Sequence, residues 1–307
     1  MNKPEFAYFE GEIVPFEQAN VSVMTQALHY GLAVFGGMRG YWNADKDQLF
    51  VFRSDDHFKR LTQSAAMLRM FTDKSPSDIT QILLELLRKQ NLKQNCYIRP
   101  LVYKSTATFD VVIHDMQDDL SIVAVPIGDF VGSATGMHVC FSSWHRIEDN
   151  AIPARGKIAG TYVNSTMIRT DAKLAGYDDA IVLNADGQIA EASVANFFMI
   201  RNGTIITPPV YANLLEGITR RSVIELAQNA LNLQVVERPI DRSELYIADE
   251  AFVCGTGAEV SPITRVEHRN IGDGQVGTIT TQLRETFLDV VYGRDDRYQH
   301  WLTPVYP

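Results

Sequence analysis

Alternation of apolar and polar positions begins the chain. Phe6-Ala7-Tyr8-Phe9, the turn Glu10-Gly11-Glu12 and Ile13-Val14-Pro15-Phe16 predict a β-hairpin. After the strand Phe50-Val51-Phe52 the period lengthens. Ser54 is placed to cap a helix whose apolar stripe is Phe58, Leu61, Ala65 and Leu68, with His57, Arg60 and Ser64 on a neighbouring face. Ser75-Pro76-Ser77-Asp78 opens a second helix with a capping hydroxyl, a proline in the first turn and an acid to match the helix dipole. The strand at 96–103 then puts Tyr97, Arg99, Leu101 and Tyr103 on one face and Cys96, Ile98, Pro100 and Val102 on the other. An arginine between tyrosines is polar for a strand face.

Ile122-Val123-Ala124-Val125-Pro126 reads as a buried strand that stops at proline, and Gly128, Gly132, Ser133 and Gly136 follow as flexible punctuation. This divides the chain into a small N-terminal α/β domain (1–126), an interdomain loop (127–136) and a larger C-terminal domain (137–307) that contains Lys157. In the second half a helix at 162–175 closes at Gly176. Strands at 180–183, 189–191 and 196–200, with turns at Ala185-Asp186-Gly187 and Arg201-Asn202-Gly203, predict a meander. Gly217 precedes an amphipathic helix running to Leu231, Asp241-Arg242-Ser243-Glu244 reads as a capping box, and Ile279, Leu283, Phe287 and Val290 mark a last helix. Strands and helices mix without a regular βαβ rhythm, so the expected class is α+β.

Composition narrows the function classes. With 307 residues, 46% hydrophobic and 21% charged, the chain has apolar material for two cores. Its 28 basic residues are outnumbered by 37 acidic ones and form no block, which argues against a nucleic-acid partner but not against a local anion site. Cys96, Cys140 and Cys254 each sit in an apolar run and are expected as free buried thiols. No stretch approaches the ~18 apolar residues of a membrane span, and the N-terminus shows no leader-like apolar run, so a cytoplasmic protein is expected.

Several segments could carry chemistry. Lys157 lies among small residues in Ala154-Arg155-Gly156-Lys157-Ile158-Ala159-Gly160-Thr161-Tyr162, where it is either a solvated loop cation or a nucleophile. Glu191 ends a strand among small apolar neighbours, where its carboxylate is either exposed or paired with a cation such as a pyridinium nitrogen. Gly217-Ile218-Thr219 opens a helix whose free N–H groups could hold a phosphate, with Arg60 or Arg220 adding charge. Cys254-Gly255-Thr256-Gly257-Ala258 is a small-residue loop that is either a tight turn or an anion cradle. His29-Tyr30-Gly31 and Phe35-Gly36-Gly37 combine aromatics with glycine. The histidines show no zinc-site or triad spacing, and no metal is expected.

Taken together these segments resemble one family along nearly the whole chain: the fold-type IV pyridoxal-phosphate enzymes, and within them the branched-chain amino acid aminotransferases. The resemblance is carried by His29-Tyr30-Gly31, Phe52-Arg53 through His57, Arg60-Leu61, Tyr97-Ile98-Arg99-Pro100, Ser142-Ser143-Trp144, Lys157 with Gly160 and Tyr162, Glu191 with Asn196, Gly217-Ile218-Thr219-Arg220 and Gly255-Thr256-Gly257-Ala258-Glu259. It implies a two-domain architecture like that of D-amino acid aminotransferase, with the active site at the domain interface, and a homodimer or higher homo-oligomer.

The same resemblance implies roles. Lys157 would carry pyridoxal 5'-phosphate as a Schiff base and shuttle the proton, Tyr162 would bond the phenolic oxygen, and Glu191 would keep the ring nitrogen protonated. Arg60, Gly217, Ile218, Thr219 and Thr256 would hold the phosphate. Tyr30, Phe35, Tyr97, Arg99, Trp144, Gly257 and Ala258 would line the substrate site. The implied reaction is a ping-pong transfer from an amino acid to a 2-oxo acid, here from leucine, isoleucine or valine to 2-oxoglutarate. Four departures bear on substrate choice: Gly36 where the family carries glutamate, Val194-Ala195-Asn196 in place of Gly-Glu-Asn, no glycine-rich loop between Lys104 and Asp110, and Phe130 where tyrosine is common. The alternatives on the same fold are a D-amino acid or (R)-amine aminotransferase, an aminodeoxychorismate lyase and a non-catalytic ligand-binding relative.

Overall fold

The hairpin forms where the alternation predicts it. In the computed structural model, which describes residues 3–127 and 135–307, β1 (Phe6–Phe9) and β2 (Glu12–Pro15) pair antiparallel. They are followed by α1 (Gln26–Tyr30), β3 (Ala33–Phe35), β4 (Met38–Asn43), β5 (Gln48–Phe52), α2 (Ser54–Met67), α3 (Pro76–Gln90), β6 (Cys96–Lys104) and β7 (Asp118–Pro126). These strands make an antiparallel sheet in the order β5, β4, β6, β7, β1, β2, and the C-terminal strand Leu302–Pro304 adds to the outer edge of β5. β3 and β4 pair with different stretches of the same β6 edge, Ala33 to Phe35 opposite Tyr103 to Leu101 and Met38 to Gly40 opposite Ile98 to Cys96. The break between them falls at Gly36 and Gly37, opposite Arg99 and Pro100. Of the described residues, 3–127, Gly156–Gly160 and Val290–Pro307 form one compact unit.

Helix α3 starts as predicted: Ser75 Oγ accepts from the Asp78 N–H while the Asp78 carboxylate accepts from the Ser75 N–H. Ile79, Leu83, Leu86 and Leu87 are buried on its inner face. Helix α2 buries Phe58, Leu61 and Ala65 of the expected stripe, yet Ser54 is not its cap. The cap position is Arg53, in the left-handed region at φ 46°, with its guanidinium 3.7 Å over the Trp301 ring and its N–H donating to the Trp301 carbonyl. The Ser54 hydroxyl meets Thr303 instead, at 2.8 Å.

The second unit comprises the described residues 135–155 and Thr161–Asp289. Its elements are β8 (Met137–Phe141), α4 (Tyr162–Leu174), β9 (Asp179–Leu183), β10 (Ile189–Ala192), β11 (Asn196–Arg201), β12 (Thr204–Thr207), α5 (Ile218–Asn229), β13 (Val235–Glu237), β14 (Glu250–Gly255), β15 (Glu259–Val266) and β16 (Arg269–Asn270), with α6 (Thr278–Val291) following. The sheet runs β10, β9, β8, β15, β14, β11, β12, β13, with β16 against β15, and β8 lies parallel to both β9 and β15. The expected meander is therefore broken. Among the described residues β10 pairs as a strand with β9 alone, and after a tight bend at 193–195, closed by the Ala192 N–H on the Ala195 carbonyl, β11 pairs with β12 and β14. That bend turns Glu191 and Asn196 toward one another.

The core of this unit is cross-strand. Phe198 and Phe252 are register partners, both fully buried, and their rings stack 4.8 Å apart. Each such side chain contributes roughly 1.5–3 kcal/mol through burial. The expected capping box at Asp241 is absent: Asp241 makes no side-chain cap, and Glu244 pairs with Arg201 and Arg238, which hold its carboxyl below the usual range. All three cysteines are free; burial pushes the Cys96 thiol up to about 12 and raises Cys254 and Cys140. Among the described residues no helix is long and apolar enough to cross a membrane.

Strands and helices thus mix in α+β fashion, but the lysine-bearing segment departs from a continuous C-terminal domain. Gly156–Gly160 belongs with the first unit because Phe35 donates to the Lys157 carbonyl at 3.0 Å and Ile158 bridges Val34. Phe130 and most of the expected 127–136 loop lie outside the described residues.

Candidate active site

In the first unit the chain is arranged around Lys157. Its backbone is fixed on both sides: the N–H donates to Ser64 Oγ at 3.2 Å, and the carbonyl accepts from Phe35. The Ser64 hydroxyl, fully buried on α2, donates in turn to the Arg60 carbonyl one turn earlier, so one side chain ties the lysine segment to the helix that carries Arg60. Gly160 donates to the Gly31 carbonyl, and Gly31 has φ +67° with no room for a Cβ, which would stand 2.9 Å from Gly160 Cα. The separate sequence motifs around Gly31 and Lys157 are thereby one contact.

The Lys157 amine lies 5.1 Å from the Phe35 ring centroid. The Arg99 guanidinium lies 4.4 Å from the same centroid and 5.2 Å from that of Tyr97, whose hydroxyl it hydrogen-bonds at 2.8 Å. Arg99 is exposed, and no carboxylate pairs with it among the described residues. Gly36 and Gly37 permit this arrangement: a Cβ at 37 would stand 2.5 Å from the Tyr97 hydroxyl, and one at 36 would stand 2.6 Å from the Pro100 ring. A glutamate at 36 thus requires Pro100 to move. Tyr30, by contrast, is exposed and spends its hydroxyl on the Phe109 carbonyl at 2.7 Å.

In the second unit the centre is Glu191, buried rather than exposed at its strand end. Arg146 Nε stands 2.9 Å from Oε1, while Oε2 accepts from Asn196 Nδ2 at 3.2 Å and from the Leu215 N–H at 3.3 Å. Asn196 also donates to the Leu215 carbonyl, and its Oδ1 would stand 2.0 Å from a Cβ at Gly217. The same network that holds Glu191 therefore fixes the start of α5. There Ile218 and Thr219 are buried and Gly217 offers no side-chain cap, so the first-turn amides are presented to an anion. The hairpin turn at Thr256-Gly257-Ala258 joins β14 to β15, and Gly255 stands against Ala195. The Ser193 hydroxyl, two residues past Glu191, is buried with no hydrogen-bond partner among the described residues.

These features fit a phosphorylated pyridine cofactor: a buried carboxylate for a ring nitrogen, an uncapped buried helix end for a phosphate, and a buried hydroxyl left for a ligand. Arg220 does not join the anion site, because it is committed to Glu237 at 2.6 Å and to the Pro208 carbonyl. Tyr162 is the first residue of α4. Trp144 is half-exposed, with its indole N–H on Asp171 at 2.9 Å. Sequence reasoning passed over Ser64 and Arg146 as site residues. Only Ser64 had a signal, its place on the Arg60 face of α2.

Comparison with known proteins gives concordant matches. Residues 33–266 match the family described as amino-transferase class IV. The probable branched-chain-amino-acid aminotransferase of Aquifex aeolicus (strain VF5) is 44% identical over 302 residues, covering 98% of this chain and 97% of that protein. The branched-chain amino acid aminotransferase of Thermobaculum terrenum, solved in its PLP holo-form, superposes with a TM-score of 0.95 at 38% identity over the whole of both chains. The T.th. branched-chain amino acid aminotransferase, complexed with N-(5'-phosphopyridoxyl)-L-glutamate, gives 0.94 at 36% identity, again over the whole of both chains.

Proposed function

Because the chain belongs to the branched-chain aminotransferase family of the class IV aminotransferases, we propose that it is a pyridoxal-phosphate transaminase that moves the amino group of leucine, isoleucine or valine to 2-oxoglutarate. The observation that carries this reading is the placement of the Lys157 amine on the Phe35 ring, beside an arginine with no carboxylate partner of its own among the described residues. When bound, the cofactor supplies an electron sink conjugated to the substrate's Cα. Lys157 would hold it covalently, and the lysine's free amine would accept the proton from Cα. Glu191 faces the ring nitrogen, and Tyr162 bonds the phenolic oxygen. Arg60, Thr256 and the Gly217-Ile218-Thr219 helix end hold the phosphate.

On the substrate side, the amides of Gly257 and Ala258 receive the α-carboxylate, while Phe35, Tyr97, Tyr30 and Trp144 supply apolar walls. Arg99 serves the two substrates in turn. Its guanidinium pairs two-pronged with the side-chain carboxylate of glutamate, and stacks on Phe35 and Tyr97 when an aliphatic side chain takes its place. The adduct in the T.th. relative carries a glutamate and so agrees with this reading. Arg99→Met is expected to slow the half-reaction with glutamate by one to two orders of magnitude, at roughly 1.4 kcal/mol per factor of ten, and to spare leucine. Stopped-flow measurement of both half-reactions tests this, and equal losses remove Arg99 from recognition. A panel of D-amino acids and (R)-amines run alongside overturns the substrate class if either outpaces L-leucine.

A homodimer is part of the same proposal. Val21, Val23, Leu28, Phe109 and Val111 stand exposed around α1 and the segment between β6 and β7, an apolar surface of the kind that marks association. Sedimentation of the purified protein at micromolar concentration is expected to give at least twice the chain's mass; a monomer rejects it.

A further inference from the structure

We propose that Arg146 is a positioning residue for the ring-nitrogen contact: it holds Glu191 ionised and in one orientation, so that the proton shared between carboxylate and ring nitrogen stays on the nitrogen. The inference rests on the reading that Glu191 faces that nitrogen.

The geometry around Glu191 selects its charged form. Donors reach both of its oxygens: Arg146 Nε on Oε1, and Asn196 Nδ2 and the Leu215 N–H on Oε2. A carboxylate offers about four acceptor sites, more than these donors use. A protonated Glu191 that turned its O–H toward any of these donors would lose that hydrogen bond, so they favour placing the proton along the bond to the ring nitrogen. That bond has two forms, a carboxylate facing a protonated nitrogen or a carboxylic acid facing a bare one. With the Glu191 side chain 6% exposed and that of Arg146 9% exposed, little water screens the choice. A guanidinium on the far side of the carboxylate favours the first form, because it lowers the energy of the negative oxygen more than it raises that of the more distant positive nitrogen. A protonated nitrogen is the form that withdraws electrons from the ring.

Arg146 is also anchored. Its Nε lies 3.1 Å from the Asn213 carbonyl, its backbone N–H donates to the Leu183 carbonyl, and Asn213 is itself held by Glu148 at 2.8 Å. Arg146 therefore links strand β9, through its backbone, to the loop before α5 and the carboxylate on β10, through its guanidinium. A purely mechanical role would show in stability alone; the charge role also moves the ring-nitrogen proton.

The test uses holoenzyme reconstituted with pyridoxal phosphate labelled with nitrogen-15 in the ring, whose resonance separates protonated from bare nitrogen. The variants are Arg146→Met, Arg146→Lys and Glu191→Gln, each checked for folding by its thermal transition. Arg146→Met is expected to move the resonance toward the unprotonated position and to slow the leucine half-reaction by roughly ten- to a hundredfold, the scale seen when an outer partner of a site ligand is lost. Arg146→Lys is expected to return both toward wild type. An unshifted resonance in Arg146→Met, with a shift in Glu191→Gln, overturns the role of Arg146 and leaves that of Glu191 standing. No shift in Glu191→Gln overturns the reading of Glu191 and this inference with it. Should Arg146→Met not accumulate as folded protein, Arg146→Gln, which removes the charge and keeps a polar tip, is judged by the same resonance.

Discussion

Lys157→Ala is expected to give a folded protein that cannot hold the cofactor covalently and transaminates no amino acid to the limit of detection. The fold should survive because the backbone contacts of the lysine segment do not involve the side chain: the N–H on Ser64, the carbonyl on Phe35 and the Ile158 to Val34 bridge all remain. The loss should be total because the one amine serves twice, first to attach the cofactor and then to carry the Cα proton, so truncation removes both functions together. Borohydride reduction of the wild-type holoenzyme followed by peptide mapping should place the label on Lys157, and the variant should show none. Label on another lysine, or residual covalent cofactor in Lys157→Ala, rejects the assignment.

The parts of the fold legible in the sequence were those decided locally. Ser75-Pro76-Ser77-Asp78 contains both halves of its capping box within four residues, and the alternation in 6–16 decides its own hairpin. Where a distant group competes, local reasoning fails. Ser54 had the chemistry of a cap, but the chain enters α2 through Arg53, held in a left-handed turn by Trp301 from the other end of the sequence. Glu244 had the spacing of a capping box, but two arginines draw its carboxylate away. The meander broke at 193–195, where no glycine or proline marked the bend that turns Glu191 and Asn196 together.

The candidate site divides along the same line. Glycines beside aromatics and a lysine among small residues were visible, since each answers to a close approach: Gly31 on Gly160, Gly37 on Tyr97, Gly217 on Asn196. The support behind them was not. Nothing in Trp144-His145-Arg146 distinguishes Arg146 from a solvated cation, because its role depends on a carboxylate 45 positions away in sequence that only the β8, β9, β10 order brings near. Composition and periodicity carry no trace of such a pairing.

Glu191→Gln is the second large effect expected, and the surrounding network makes it two effects that must be separated. The amide is nearly the same shape and leaves the Asn196 and Leu215 donors an acceptor, but it cannot keep a proton on the ring nitrogen. Losing one preorganised charge contact of this kind costs roughly 3 kcal/mol of transition-state stabilisation, about a hundredfold in the half-reaction. The substitution also leaves Arg146 as a buried cation without its counter-ion, and breaking one side of a buried pair typically costs about 3–5 kcal/mol of folding stability. A lower rate alone could thus reflect a loosened protein. The double variant Glu191→Gln with Arg146→Met removes the stranded charge, so its thermal transition should recover toward wild type while its rate stays low, since neither side chain now supports the ring proton. Stopped-flow rates and melting curves on the single and double variants decide the matter together. A Glu191→Gln protein that is folded and reacts within a few-fold of wild type takes Glu191 off the ring nitrogen, and a double variant that recovers rate along with stability shows that the carboxylate served only to neutralise Arg146.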